Sequence, residues 1–150
     1  MIEMPADEID DFLAQSRIGR LGMADRAGHP YIIPLPFCFT DRALYVRLPH
    51  TGRKGQVLQE NDQVCFEVDW HTDTLDDYVS VLVEGRLVAV TDLEEKVRVK
   101  THNEAKYERL RHGYRPGHGR QKSLRELPLQ KIVITAISGR RKDPCLQKGH

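Results

Sequence analysis

The residues with the clearest capacity for chemistry stand together at Thr51, Gly52, Arg53 and Lys54. A strand-like run at 43–48 leads into them. A helix-length segment carrying Val57 and Leu58 follows, and a second strand-like run occupies 63–70. A chain that leaves a strand, turns through glycine and enters a helix presents several free backbone N–H groups at one spot, and adjacent cations make that spot attractive to a phosphate. The segment reads as an anion cradle; the competing reading is a solvated helix start capped by Thr51, with two ordinary surface charges.

Other chemistries find no support. No GxGxxG follows a strand and no GxxxxGK[ST] occurs, which removes the dinucleotide and P-loop readings. The seven histidines (29, 50, 71, 102, 112, 118 and 150) include no HExxH, and His112 with His118 is a loose spacing without cysteine partners, so no metal site is expected. Ser80 and Ser138 lie inside strand patterns without a nucleophile elbow, and Cys38 and Cys65 read as small core hydrophobes. Any redox or group-transfer chemistry must then come from a bound cofactor.

The elements that would position such a site follow from periodicity. Ile9, Phe12 and Leu13 recur at helical spacing within 5–16, with Asp7 and Glu8 in the first turn, giving an amphipathic helix that covers one end of a sheet or barrel. Strands are expected at 17–24, 29–39, 43–48, 63–70, 78–90 (bending at Gly85) and 129–138 (stopping at Gly139). Pro34 and Pro36 cannot donate to a ladder, so they mark an edge or bulge where backbone is exposed for a ligand or simply protected from aggregation. A capping-box pattern at 91–94 opens a helix from Leu93 to about His102. Residues 103–127 hold glycines, a proline and many cations and read as an irregular basic excursion, and 142–150 as a fraying tail. Six strands without βαβ alternation favour a single antiparallel barrel domain over 1–150, mainly β with flanking helices.

Composition bounds the partners. Hydrophobic residues make up 39% and charged residues 30%, ordinary for a soluble domain, and no apolar run is long enough to span a membrane. No signal peptide is evident and the three cysteines have no useful spacing, so a cytoplasmic setting is expected. The net charge of +1 conceals an acidic stretch at 1–105 and a basic one at 106–150. With no nucleic-acid-binding motif, that patch does not by itself make nucleic acid a partner.

Three blocks in this order resemble a known family: 17–25 with 30–37, then 45–54 with 61–69, then 78–86; residues 134–140 agree as well. Together they are similar to the pyridoxamine 5′-phosphate oxidase-like flavoproteins, especially the branch that includes the 5-nitroimidazole resistance reductases. The resemblance covers about 5–102 and 128–141. It implies a six-stranded antiparallel split barrel that forms a homodimer with FMN between the subunits. It further implies that Thr51, Arg53 and Lys54 hold the FMN phosphate, that the backbone of Pro34, Leu35, Pro36 and Phe37 faces the isoalloxazine, and that Ser80 and Val81 touch the flavin. Arg47 stands where that branch usually has a histidine, and Leu48 where it usually has a small polar residue. Arg47 and His50 are the candidates for orienting or charge-stabilising a small-molecule substrate. The function expected is that of a flavin-dependent oxidoreductase. The alternatives are a non-enzymatic flavin-binding or sensing module, and a split barrel that uses deazaflavin or haem.

Overall fold

The computed structural model describes residues 1–110 and 123–143. In chain order it runs β1 (Ile2–Glu3), α1 (Ala6–Gln15), β2 (Ile18–Ala24), β3 (Pro30–Pro36), β4 (Cys38–Thr40), β5 (Ala43–Arg47), α2 (Gly52–Glu60), β6 (Gln63–His71), β7 (Tyr78–Ala89), α3 (Leu93–Leu110) and β8 (Leu129–Arg141), with a 3-10 turn at Leu124–Glu126 before the last strand. All strand pairs are antiparallel, in the order β3-β2-β6-β7-β8-β5-β4, with β1 pairing the end of β8.

The sheet must curl. β3 and β4 stand at opposite ends of that order, and seven flat strands would part their edges by ~29 Å. Yet only Phe37 separates them in sequence. The one-residue link therefore draws the two edges together into a split barrel. Alternation supplies its core: Val64, Phe66 and Val68 of β6 and Val81 and Val83 of β7 point in, while Glu67, Asp69, Leu82 and Glu84 point out. α1 adds Ile9 and Leu13 to the same core, as its periodicity predicts.

Four expectations need correcting. The described residues form eight strands rather than six. β1 is only two residues long, and the run expected at 29–39 divides at Phe37, whose N–H and C=O turn to α3 instead of a ladder. β8 does not stop at Gly139 but continues to Arg141, pairing Gly139 with Val81 and Arg141 with Val79. α3 does not end near His102 but runs to Leu110, so residues 103–110 are helical rather than irregular; residues 111–122 of the expected excursion and 144–150 of the tail lie outside the described residues. The start of α3 is capped by Asp92, whose carboxylate accepts from the Glu94 N–H at 3.2 Å, rather than by the Thr91 side chain the capping-box pattern suggests. The bend in the long strand falls where expected, as a register shift between Glu84 and Gly85. Among the described residues no helix is long and apolar enough to cross a membrane.

Candidate functional site

The turn from β5 into α2 has the geometry of a ligand-facing helix start. Gly52 takes φ +68°, a left-handed conformation that lets the chain reverse sharply into the first helical turn. Thr51 occupies the N-cap position, but its side chain makes no capping hydrogen bond, so the first N–H groups are not closed off by it. The turn also lies flat on the preceding loop: a Cβ at Gly55 would come within 2.6 Å of the His50 carbonyl carbon. The His50 ring is itself tethered. Its Nε2 lies 2.6 Å from Nε2 of the buried Gln130 in β8, so the amide N–H donates to an unprotonated ring nitrogen.

Arg53 is exposed and Lys54 half-buried. The Arg53 guanidinium stands 5.0 Å from the centroid of the Tyr31 ring on β3, a cation–π contact that joins the cradle to the proline-bearing strand. Among the described residues neither Arg53, Lys54 nor Arg47 forms an ion pair. Their charges are open to a ligand.

β3 is an edge strand, as its prolines require. Pro34 lies opposite Arg20 and Pro36 opposite Ile18 on β2, both prolines facing outward, while Leu35 turns half-buried toward the core. Phe37 differs from its neighbours. Its ring is 1% exposed and meets Phe66 edge-on at 5.3 Å. Its N–H donates to the Tyr107 hydroxyl at 3.1 Å and its carbonyl accepts from Lys106 Nζ at 2.9 Å. The backbone polar groups of Phe37 are thus taken by α3, whereas Pro34, Leu35 and Pro36 pair with β2 alone, on one side of the strand.

Lys106 and Tyr107 were not anticipated as site-forming residues. Lys106 is 2% exposed, its Nζ is 4.0 Å from the Phe37 ring centroid, and burial pushes its ammonium down to about 8. Tyr107 also donates to the Arg17 carbonyl at 2.7 Å. Only the topology reveals them, because a lysine in a polar stretch carries no sign of burial.

The remaining expected residues divide. Arg47, at the end of β5 opposite Leu129, lines with Pro36 and Phe37 a cavity of about 90 Å³. Ser80 lies on β7 opposite Asp69 and Arg140, half-buried, and Val81 is fully buried, so only its backbone could meet a ligand. β7 is three strands from β3, or ~14 Å across the sheet. A single chain thus brings Thr51, Arg53 and Lys54 to β3, and Pro36 and Phe37 to Arg47, but leaves Ser80 and Val81 apart from both.

The comparisons agree with this architecture. Residues 5–141 match the family model described as pyridoxamine 5′-phosphate oxidase, and the chain belongs to that family. No curated protein matches the sequence. Among solved structures, a protein from Bacteroides thetaiotaomicron assigned to 5-nitroimidazole antibiotic resistance superposes with a TM-score of 0.71 at 21% identity, over 95% of this chain and 90% of that one. An FAD-binding protein from Mesorhizobium loti gives 0.67 at 28% identity, over 95% and 98%. The haem storage protein HutZ from Vibrio cholerae gives 0.62 at 17%, over 88% and 92%.

Proposed function

We propose that the chain binds FMN in a cleft completed by a second copy of itself and acts as a cytoplasmic, flavin-dependent oxidoreductase on a small organic molecule. The observation that carries this reading is the Arg53 guanidinium over Tyr31, which makes the cationic helix start and the proline-marked strand one continuous surface. Those two features suit the two ends of FMN. Thr51, Arg53, Lys54 and the first N–H groups of α2 meet a phosphate, and an edge without N–H groups at Pro34 and Pro36 lies beside a flat ring. The bound flavin supplies transfer of electrons or hydride between a reductant and the substrate. The chain's own residues hold the phosphate, exclude water from the ring with the packed Phe37 segment, and orient the substrate with Arg47. His50, tied to Gln130 and pressed on Gly55, acts by fixing the cradle.

The second copy is supported by what one chain leaves open. Ser80 and the backbone of Val81 lie three strands from β3, ~14 Å across the sheet, and the outward face of the sheet carries exposed Ile18, Ile32 and Leu82. Light scattering of the flavin-loaded protein is expected to give a dimer; a flavin-loaded monomer would contradict this part.

Titration with FMN, FAD and riboflavin tests the reading as a whole. FMN is expected to bind tightest and riboflavin weakest, since riboflavin lacks the phosphate. Equal affinity for FMN and riboflavin would remove the cradle from the argument, and a Soret band in the purified protein would replace flavin with haem.

A further inference from the structure

The small cavity beside Phe37 is distinct from the cradle and has a chemistry of its own. Its walls are apolar, drawn from β4, β5, α3 and the segment before β8 and including Phe37, Cys38, Val99 and Leu129. At about 90 Å³ it is smaller than the ~150 Å³ apolar cavity that admits benzene, which limits its occupant to a short aliphatic group. The charged lining is one-sided: Arg47 and Lys100 stand with Asn103 and Tyr45, and among the described residues no carboxylate lines the cavity.

The charges around it leave this positive character uncompensated. Arg47 has no ion pair among the described residues. Lys100 makes only a loose pair with Glu104 at 3.7 Å on the same exposed helix face, an interaction an incoming anion can replace. Of the other acids nearby, Glu95 is held by the Tyr45 hydroxyl at 2.7 Å and Lys131 at 2.9 Å, and Asp41 by Arg98 at 2.8 Å, while Glu94, Glu108 and Glu126 are not among the residues that line the cavity. Lys106 adds a further positive charge from behind the Phe37 ring.

We propose that this cavity receives the substrate, and that the substrate is a small organic carboxylate. A short branched hydrocarbon end fills the apolar part, and the carboxylate lies against Arg47, with Lys100 and Asn103 beside it. Arg47 can grip a carboxylate through two parallel N–H donors, which a neutral hydroxyl cannot exploit. The cavity borders Pro36 and Phe37, so its occupant would sit at the end of the strand assigned to the flavin ring. That role as substrate pocket rests on the flavin reading, whereas carboxylate binding does not.

The two are separated by calorimetry with isovalerate and its neutral counterpart 3-methylbutan-1-ol, on the full chain with and without FMN. Isovalerate is expected to bind saturably in both states, and the alcohol at least about tenfold more weakly. Arg47→Gln should weaken isovalerate by about tenfold to a hundredfold while leaving the alcohol and FMN unchanged. Lys100→Gln should have a smaller effect in the same direction. Both side chains are exposed, so neither variant is expected to disturb folding. Equal binding of acid and alcohol, no binding of isovalerate to the FMN-loaded protein, or displacement of FMN by isovalerate would each overturn the proposal, the last by assigning the cavity to the cofactor. Isovalerate binding to a chain that takes up no FMN would retain the anion site and refute its role in flavin chemistry.

Discussion

The protein places cations in two opposite situations. At the start of α2, Arg53 and Lys54 are accessible and, among the described residues, without ion pairs, beside N–H groups that the Thr51 side chain does not cap. Inside α3, Lys106 and Lys96 are almost wholly buried, with their ammonium groups held by backbone carbonyls. Lys106 donates to the Phe37 carbonyl, and Lys96 donates to the carbonyls of Leu124, Arg125 and Leu127 at 3.1–3.2 Å. The first pair has bonding capacity to offer a ligand; the second has spent its capacity on closing the barrel. Removing a spent donor should therefore change stability, and removing a free one should change affinity.

The largest effect is expected at Lys106. Lys106→Ala removes a buried stem and takes from the Phe37 carbonyl its 2.9 Å donor, which the Tyr107 hydroxyl could replace only by giving up the Arg17 carbonyl. The expected loss is about 2–4 kcal/mol, read by urea unfolding. A loss below about 0.5 kcal/mol would show that α3 does not hold the β3–β4 link.

A smaller effect should appear on titration. Lys106 is pushed from an ordinary 10.5 to about 8 by burial, so above pH 8 the unfolded chain binds more protons than the folded one, and stability should rise with pH. Cys38 works against this. Burial raises its thiol from 9.0 to about 11, so from pH 9 upward the unfolded chain loses a proton that the folded chain keeps. The net expectation is a rise between pH 8 and 9 of at most ~1.4 kcal/mol, cancelled beyond pH 9. Lys106→Met should abolish the rise; an unchanged slope in that variant would assign it to another group.

The smallest effect belongs to an exposed pair. Arg20 reaches Asp69 at 2.6 Å and Glu67 at 3.4 Å on the outer face of the sheet, where side chains are a third to a half exposed. Arg20→Ala should shift stability of the isolated chain by less than about 1 kcal/mol.

The same contrast explains what the sequence revealed. The turn into α2 was legible because a glycine, cations and a helix-length segment follow one another along the chain between two strands. β6 and β7 were legible because one face of each is core. The extent of α3 was not, because its buried positions include Lys96 and Lys106 beside Val99 and Tyr107, and cations on the inward face erase the apolar stripe that marks a helix. Gly139 looked like a strand end, yet it lies inside β8 where Met4 and Ile9 press so closely that a Cβ would meet them at 2.8–2.9 Å. The position of Ser80 and Val81 relative to the cradle depends on strand order, which alternation does not encode.

The most direct test of the free-donor claim is the affinity of Arg53→Ala and Lys54→Ala for FMN against riboflavin, measured by calorimetry alongside thermal unfolding. Each lost charge-assisted hydrogen bond is expected to weaken FMN by about tenfold to a hundredfold, with riboflavin affinity and melting temperature nearly unchanged. Equal weakening of both ligands, or no change in either, would contradict the assignment of the α2 start as the phosphate cradle.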